Sequence, residues 1–395
     1  MNLVIVSPFP PAVTGIGQYG YHLTRALASS GAFTRVTVLA GSRLNGQIPN
    51  HLGSTEIEYC WAPGQFNARQ TILSSVKRLN PDLVWFNSGA SIFGKSPWLN
   101  VSGLLTPAFL QHMDIPTVVT VHELVELSDL RALNAPGGSL AKMGARLLTH
   151  IASRADVVCL TLKNYADWLS ARGVDCIHIP IGAYHEPELL DDSGSQEILF
   201  FTTLAPFKGL ELLLVAFKSL QARHPTLRLT IAGADHGRFP NYSDQLKARF
   251  KNMQGVNWLG QVPEDQVIEL FRRAQMVVLP YSASTGSSSV LYQAATWGRA
   301  VVASDLDEIR KLVEESGLDV EFFKSGDVNS LCNSIQAMLA STEKRKAQAA
   351  HNFNAIQRIH PYEICRKYLQ AFDRALEKRL SPKRLAIPAH GEKPA

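Results

Sequence analysis

Short apolar runs alternate with amphipathic segments along most of the chain. The runs cover residues 3–7, 36–40, 83–87, 117–121, 157–160 and 176–179, and then 198–202, 227–232, 276–280 and 300–304. Continuous Val, Ile and Leu runs are typical of strands buried on both faces of a parallel sheet. Helical patterns between them, such as residues 17–29 and 69–80, predict βαβ units with right-handed crossovers.

Two such series of runs predict two domains. At 395 residues the chain exceeds the usual size of a single hydrophobic core. Residues 182–197 combine Gly, Pro, acidic and Ser residues without periodicity, which favours a linker. We therefore predict an α/β fold with two doubly wound domains, 1–183 and 184–360, which face a cleft and hold ligands at the carboxyl ends of their strands.

The C-terminal part is predicted to form a helix followed by a disordered tail. In residues 361–380 the apolar residues Ile364, Tyr368, Phe372 and Leu376 recur every four positions, which predicts one buried stripe. This pattern alone does not tell which domain the stripe packs against. Residues 381–395 are rich in Pro, Lys and Ala, a composition that predicts disorder.

Composition narrows the function classes. An apolar fraction of 46% with 18% charged residues is typical of a folded soluble protein. The net charge of +5 comes from scattered basic residues, so we expect no nucleic-acid partner, although weak peripheral association with an anionic membrane stays open. The five cysteines lack disulfide or metal-ligand spacing, and no apolar run has the length of a membrane span. We expect a cytoplasmic protein, with the inner face of the cytoplasmic membrane as the alternative location.

The loop after the run 276–280 has the composition of an anion-binding site. Gly286 frees the backbone, and Ser287, Ser288 and Ser289 place amide and hydroxyl donors where the helix 289–297 is predicted to begin. Free N–H groups and the positive end of the helix dipole favour a phosphate there. An ordinary helix-capping loop explains the serines alone equally well.

The loop after the first run contains Gly15-x-Gly17-x-x-Gly20, which matches the dinucleotide-binding fingerprint. However, seven residues including three prolines separate this motif from Ser7, and no acidic residue follows the next strand to bind a ribose. We therefore reject a nicotinamide cofactor. The loop instead favours approach to a phosphate or sugar from the opposing domain, with a plain loop–helix junction as the alternative.

A candidate cation follows the run 198–202. Pro206 interrupts the loop, and Lys208 is predicted to open the helix 209–220. A lysine in the first turn of a helix opposes the helix dipole unless an anion is bound, so Lys208 is a candidate diphosphate ligand, or else a solvated surface lysine.

Asp305 and Asp307 match the DxD pattern of metal-dependent nucleotide-sugar enzymes. They precede the predicted helix 306–313, where Asp commonly caps free N–H groups, and we favour that interpretation. No other His, Cys or carboxylate group in the sequence has metal-ligand spacing, so we predict neither a metal nor a cofactor.

Taken in order, these motifs resemble those of the large retaining glycosyltransferase family 4, which has the GT-B fold, along nearly the whole chain. Residues 14–17 are similar to its N-terminal glycine loop, 121–123 to its His-Asp/Glu motif and 206–209 to its PxKG motif. Residues 285–303 are similar to its EGFGxxxxEAxAxGxPVVA segment. The helix 361–380 resembles the family's C-terminal helix, which crosses back to complete the first domain.

The resemblance implies metal-independent transfer of a hexose from a nucleoside diphosphate sugar to a hydroxyl of a glycan or lipid-linked acceptor, with retention at the anomeric carbon. It implies that Lys208 stabilises the leaving diphosphate and that His122 faces the reacting sugar by its backbone carbonyl or its ring. Amides around Gly15, Gly17 and 286–288 would contact phosphate and sugar. Fixed donors at the diphosphate favour a transition state in which negative charge develops there.

Three positions depart from the family pattern. Its two glutamates correspond to Thr285 and Gln293, and the arginine before its lysine corresponds to Thr203. Gln293 still offers hydrogen bonds to a ribose, but without a charge. The serines at 287–289 offer further donors to the phosphates.

The acceptor is expected at the first domain. Asn87 and Ser88 at a strand end, and Glu123 beside His122, are candidates, since loops at the carboxyl ends of strands carry function. The acidic residues around Glu123 also fit a solvated segment. A nucleotide-sugar-binding protein that does not catalyse transfer, acting as partner to an active enzyme, remains the alternative function.

Overall fold

The computed structural model of the protein describes residues 1–12, 14–41, 51–127, 138–191, 194, 196–284 and 286–385. It contains two sheets, each covered by helices, which is the α/β architecture predicted from the sequence.

The first sheet has eight strands in the order β3-β4-β2-β1-β5-β6-β7-β8. Its strands are β1 (Asn2–Pro8), β2 (Arg35–Gly41), β3 (His51–Leu52), β4 (Thr55–Trp61), β5 (Leu83–Ser88), β6 (Thr117–Val121), β7 (Val157–Leu160) and β8 (Cys176–His178). All neighbouring pairs are parallel except β3 with β4. β1 is buried after its first residue, as expected for a central strand with helices on both faces.

The second sheet has six strands in the order β11-β10-β9-β12-β13-β14, all in parallel pairs. Its strands are β9 (Glu197–Phe201), β10 (Arg228–Ala232), β11 (Val256–Gly260), β12 (Met276–Leu279), β13 (Ala300–Ser304) and β14 (Glu321–Phe323). A second core cluster lies on this sheet and includes Ile198, Phe217 and Val302, all buried.

Helices connect the strands. Those in the first half are α1 (Gly15–Ser29), α2 (Ala68–Leu79), α3 (Pro97–Leu104), α4 (Thr106–His112), α5 (Ser139–Ala152) and α6 (Lys163–Ser170). Those in the second half are α7 (Leu210–Gln221), α8 (Tyr242–Arg249), α9 (Val267–Arg273), α10 (Ser289–Thr296), α11 (Asp307–Ser316), α12 (Val328–Ala340), α13 (Thr342–Ile356) and α14 (Pro361–Leu385). In the part of the chain that the structure describes, none of these helices is long and apolar enough to span a lipid bilayer.

The strand orders create two switch points, where connections from neighbouring strands leave in opposite directions. In the first sheet this point lies between β1 and β5, and in the second between β9 and β12. Open parallel sheets bind ligands outside the carboxyl ends of their strands at such points. The loops that follow β1, β5, β9 and β12 therefore form the candidate site.

The closing helix α14 crosses back to the first sheet, as the resemblance implied. Tyr368 is buried, and its hydroxyl lies 2.7 Å from both the Tyr19 hydroxyl of α1 and Thr120 Oγ1 of β6. Ile364 and Phe372 are buried as predicted, whereas Leu376 is half-buried, because Ala375 takes the buried position. The predicted tail begins too early, since α14 continues to Leu385; residues 386–395 lie outside the described residues.

The sequence analysis missed four strands at or next to the sheet edges, namely β3, β4, β11 and β14. Strands β4 and β11 alternate apolar with polar residues, and β11 is largely exposed, so neither contains a continuous apolar run. The strands β3 and β14 span two and three residues, too few for a periodic pattern. The predicted central strands are all present because both of their faces are buried.

Candidate functional site

Asn87 organises the first switch point. Its Nδ2 donates to Ser7 Oγ at the end of β1 (2.9 Å) and to the backbone oxygen of Ile16 in α1 (2.8 Å). Its Oδ1 lies 2.7 Å from Nε2 of His122, which follows β6. One fully buried amide thus joins the ends of three neighbouring strands to the start of α1.

Gly20 makes this arrangement possible. A Cβ atom at Gly20 would lie 2.3 Å from Ser7 Oγ and 3.0 Å from Asn87 Nδ2, so any other residue would push α1 away from the strand ends. The third glycine of the motif therefore serves close helix–strand packing.

His122 is a neutral, buried ring. Because Asn87 Nδ2 donates to a carbonyl, Asn87 Oδ1 must face the ring, and His122 Nε2 is then the donor. Burial lowers the pKa of His122 to about 3, and the edge-on ring of Tyr19 covers it at 4.8 Å between centroids. The ring is therefore uncharged at neutral pH and is a weak proton acceptor.

The backbone carbonyl of His122 faces the opposite half of the molecule. A Cβ atom at Gly286, in the loop after β12, would lie 2.5 Å from this oxygen. Only glycine permits the loop to approach so closely. The end of β6 and the loop after β12 therefore meet across the cleft.

The N-terminal glycine loop caps α1. Thr14 Oγ1 accepts a hydrogen bond from the Gly17 amide at 2.9 Å, and the helix begins at Gly15. Nothing lies within 4 Å of the position where Gly15 would carry a Cβ, whereas one at Gly17 would meet Thr14 Oγ1 at 2.9 Å. Gly15 thus borders open space, and Gly17 is required by the cap.

Lys208 lies at the second switch point, but not in the first turn of a helix as predicted. Residues Pro206–Lys208 form a 3₁₀ turn, Gly209 adopts a left-handed conformation (φ 70°), and α7 starts at Leu210. The prediction was wrong because the glycine separates the two helical segments. The half-buried Lys208 still lies beside the N-terminal end of α7.

The Lys208 ammonium lies over the ring of Tyr281, 3.9 Å from its centroid. Tyr281 follows β12, and the next amide, Ser282, donates to the backbone oxygen of Phe207 at 2.9 Å. Among the described residues, Lys208 has no carboxylate partner. An unpaired cation is thus held against the loop after β12. Thr203, half-buried, lies between β9 and this turn.

The serines of the loop after β12 have different environments. Ser287 Oγ donates to the backbone oxygen of Thr161, after β7 of the first sheet, at 2.9 Å. Ser288 Oγ is buried without a partner among the described residues. Ser289 begins α10 and lies near the side chain of Tyr184. Thr285 lies outside the described residues, and Gln293 is buried on α10.

The predicted capping role of Asp305 and Asp307 is wrong. The helix α11 begins at Asp307 after Leu306, without a side-chain cap. Asp305 instead pairs with Arg310, which donates to both of its carboxylate oxygens. The Asp305 carboxylate is therefore paired with a cation on α11.

Comparison with known proteins identifies the family of this chain. Residues 14–180 match the family "Glycosyl transferase 4-like domain", and residues 195–341 match "Glycosyl transferases group 1". The chain belongs to the group 1 glycosyltransferases. This confirms the family, the GT-B fold and the enzyme class predicted from the sequence.

The proteins to which this chain is similar are named for different reactions. The chain is similar to the phosphatidyl-myo-inositol mannosyltransferase of Mycolicibacterium smegmatis, with 27% identity over 203 residues, 49% of this chain and 50% of that protein. It is 24% identical to the glycogen synthase of Mycobacterium tuberculosis (strain CDC 1551 / Oshkosh) over 385 residues, 89% of each. Among solved structures, Anabaena HepE in complex with UDP-glucose has a TM-score of 0.67 and 16% identity, covering 97% of this chain and all of HepE.

In this glycosyltransferase the residues predicted at the acceptor side differ in exposure. Asn87 and Ser88 are buried, and the contacts of Asn87 are with the protein, so the structure gives it a positioning role. Glu123 is half-buried and accepts from the Ala90 amide at 3.1 Å. Contact of these residues with the acceptor stays a prediction.

The sequence analysis missed three tyrosines of the glycosyltransferase site. Tyr19 covers His122, Tyr281 faces Lys208, and Tyr184 lies near Ser289. Tyr281 follows directly on a predicted strand, and this position was the one sequence signal that could have identified it as a candidate. Tyr19 and Tyr184 acquire their roles only through tertiary packing.

Proposed function

We propose that this glycosyltransferase moves a hexose from a nucleoside diphosphate sugar to a hydroxyl of a glycan or lipid-linked acceptor, with retention at the anomeric carbon. The observation that carries the proposal is the Lys208 ammonium, which lies beside the loop after β12 and has no carboxylate partner among the described residues. A cation without a carboxylate partner fits a site that receives its counter-charge from a ligand.

The chemistry follows from where charge develops. As the glycosidic bond to phosphate breaks, negative charge collects on the leaving diphosphate, and the sugar becomes oxocarbenium-like. Lys208 and the amides at the start of α10 are fixed donors on the diphosphate side, so they favour the transition state over the ground state. We propose that this set of donors replaces a metal ion at the diphosphate.

His122 is proposed to act on the sugar side of the cleft. Its ring is neutral, so a positive charge on the ring does not oppose the oxocarbenium-like sugar. Its carbonyl oxygen faces the loop of Gly286 and carries partial negative charge toward the cleft. Asn87 holds both features in place through its bond to the ring.

A second function also has an observation in its favour. Gln293 and Thr203 are neutral where the family has a glutamate and an arginine, which fits a protein that binds a nucleotide sugar without transferring it. Release of the diphosphate separates the two functions.

The test is a panel of UDP-, GDP- and ADP-hexoses, each offered with oligosaccharide and lipid-linked sugar acceptors, with and without added Mg²⁺. We expect one donor to stabilise the protein against heat and to release its nucleoside diphosphate without Mg²⁺, with the donor's anomeric configuration kept in the product by NMR. Stabilisation without release would support the binding protein. Inversion, or release only with Mg²⁺, would contradict the mechanism, and no stabilisation by any donor would contradict both functions.

A further inference from the structure

Two histidines and a glutamate from distant parts of the chain meet where the two sheets adjoin. His22 lies on α1, His185 follows β8 on the segment that leads to the second sheet, and Glu264 lies in a 3₁₀ turn before α9. We call them the histidine–glutamate cluster. His22 Nε2 lies 2.8 Å and His185 Nε2 3.2 Å from the same oxygen, Glu264 Oε1.

The spacing of these atoms fits a metal ion. All three lie within 4.8 Å of one another, and no other such group of three occurs in the described ranges. Zinc binds imidazole nitrogen and carboxylate oxygen at about 2.0–2.2 Å, which places neighbouring ligand atoms of a tetrahedral ion about 3.3 Å apart. The two His–Glu separations of 2.8 and 3.2 Å are close to this value, and the third separation, between the histidine nitrogens, is at most 4.8 Å.

The chemistry of the three side chains also suits a metal. Imidazole nitrogen and carboxylate oxygen are ligand atoms found for zinc and other first-row ions.

The surroundings hold the ligands in place. The His22 ring stacks on Tyr184 with 4.6 Å between centroids and 11° between planes, and His185 packs against Trp297 at 5.5 Å. His22 is buried, whereas the side chains of His185 and Glu264 are each 29% exposed. An ion thus has both an ordered site and an open side for entry and for a water ligand.

We propose that the histidine–glutamate cluster binds one divalent first-row metal ion that clamps the two halves of the molecule. The ion would link α1 on the first sheet to the turn before α9 on the second. Tyr184 stacks on His22 and lies near Ser289 at the start of α10, so the clamp adjoins the loop after β12. The site lacks Lys208 and does not depend on hexosyl transfer.

The experiment uses the full chain, freed of metal by a chelator and dialysed, with Zn²⁺ as the titrant in calorimetry. Glu264→Gln and His185→Gln each remove one ligand at a half-exposed position, and His51→Gln removes an exposed histidine outside the cluster. We expect one Zn²⁺ per wild-type and His51→Gln chain. Each ligand variant should bind more than about 100-fold more weakly, because even residues that only support metal ligands contribute about 10- to 100-fold.

Co²⁺ provides a readout that does not depend on the folding of a variant. The wild-type protein should show visible d–d absorption with one equivalent of Co²⁺, and Zn²⁺ should remove it by displacement. Zn²⁺ should also raise the Tm of the wild type but not of His185→Gln. Absence of stoichiometric Zn²⁺ binding by the wild type, or unchanged affinity in His185→Gln, would overturn the proposal.

Discussion

The two switch points share a strand order but differ in side-chain chemistry. At the first, every hydrogen-bonding atom of the Asn87 side chain binds another residue of the protein, and Thr14 caps α1 in the same way. At the second, Lys208 has no carboxylate partner and Ser288 Oγ has no hydrogen-bond partner among the described residues.

This difference distinguishes residues that hold other protein groups in position from residues that are free to bind a ligand. Paired buried groups stabilise the fold, because removing one partner leaves the others unsatisfied. Polar groups without a protein partner contribute little to the stability of the fold, and a ligand can supply the missing hydrogen bond or counter-charge. We therefore expect changes at the first switch point to reduce stability, and changes of unpaired groups at the second to reduce ligand binding and rate.

The largest effect on rate is expected for Lys208→Ala. Loss of one fixed donor to the leaving group should lower kcat by about 10²- to 10³-fold, since such donors contribute about 3–4 kcal/mol. The free energy of unfolding should change by less than about 1 kcal/mol, the strength of an exposed cation–π contact. Steady-state kinetics and denaturant unfolding measure both. Lys218→Ala, exposed on α7, is the control, and an equal loss there would contradict the assignment.

The largest effect on stability is expected for Gly209→Ala. Gly209 has φ 70°, and a Cβ atom there would lie 1.7 Å from the Pro280 carbonyl oxygen. The clash with backbone adds to the strain of a left-handed residue, so we expect a loss of at least about 3 kcal/mol in urea unfolding.

Gly317→Ala is the matched control for Gly209→Ala. Gly317 has φ 68° but nothing within 4 Å of the added carbon, so it isolates the backbone strain at about 1 kcal/mol. Equal losses in the two variants would show that the contact between the Lys208 turn and β12 is not tight.

A smaller effect concerns the pH dependence of stability at the first switch point. The folded pKa of His122 is about 3, below its usual 6.5, so between these values the unfolded chain binds a proton that the folded chain does not. Stability must then fall as the pH falls from about 6.5 toward 3, by up to about 1.4 kcal/mol per pH unit. In His122→Gln this part of the slope should disappear in unfolding curves from pH 7 to 5. His51→Gln, which removes an exposed histidine, should keep the wild-type slope.

The smallest effects contrast two adjacent serines. Ser287→Ala removes a hydrogen bond to the Thr161 carbonyl and should cost about 1 kcal/mol of unfolding free energy. Ser288→Ala removes a buried hydroxyl that has no hydrogen-bond partner in the described part of the chain. Stability should therefore stay the same or rise, while affinity for the nucleoside diphosphate falls. Chemical denaturation and calorimetry distinguish them, and a destabilised Ser288→Ala would contradict the comparison.

The sequence predicted those features of the fold that depend on short local patterns. The central strands were found because both of their faces are buried, and Lys208 and Gly286 were predicted as site residues because each lies in a short motif after a strand. The predicted start of the helix near Lys208 was wrong, because the left-handed Gly209 separates the 3₁₀ turn from α7. The apolar pattern is compatible with a helix that starts on either side of this glycine.

Contacts between distant residues were beyond the sequence pattern. Asn87 was predicted as an acceptor contact, yet its role follows from strand register, which places it beside Ser7 and His122. His22 and Glu264 are separated by 242 positions, and only the packing of α1 against the second half of the chain brings them together. Ligand spacing in a sequence cannot reveal such a cluster.

The account is tested most directly by measuring unfolding free energies of the wild type, Asn87→Ala and Lys208→Ala, with and without the nucleoside diphosphate that the donor panel selects. At 100 times the dissociation constant, the ligand should add about 2.7 kcal/mol to the wild type. We predict that Asn87→Ala loses at least about 2 kcal/mol without ligand and keeps most of this increment, whereas Lys208→Ala keeps its stability and loses most of the increment. The reverse pattern would contradict the assignment of Asn87 to positioning and Lys208 to ligand binding. Equal losses of stability and of the ligand increment in the two variants would also contradict it.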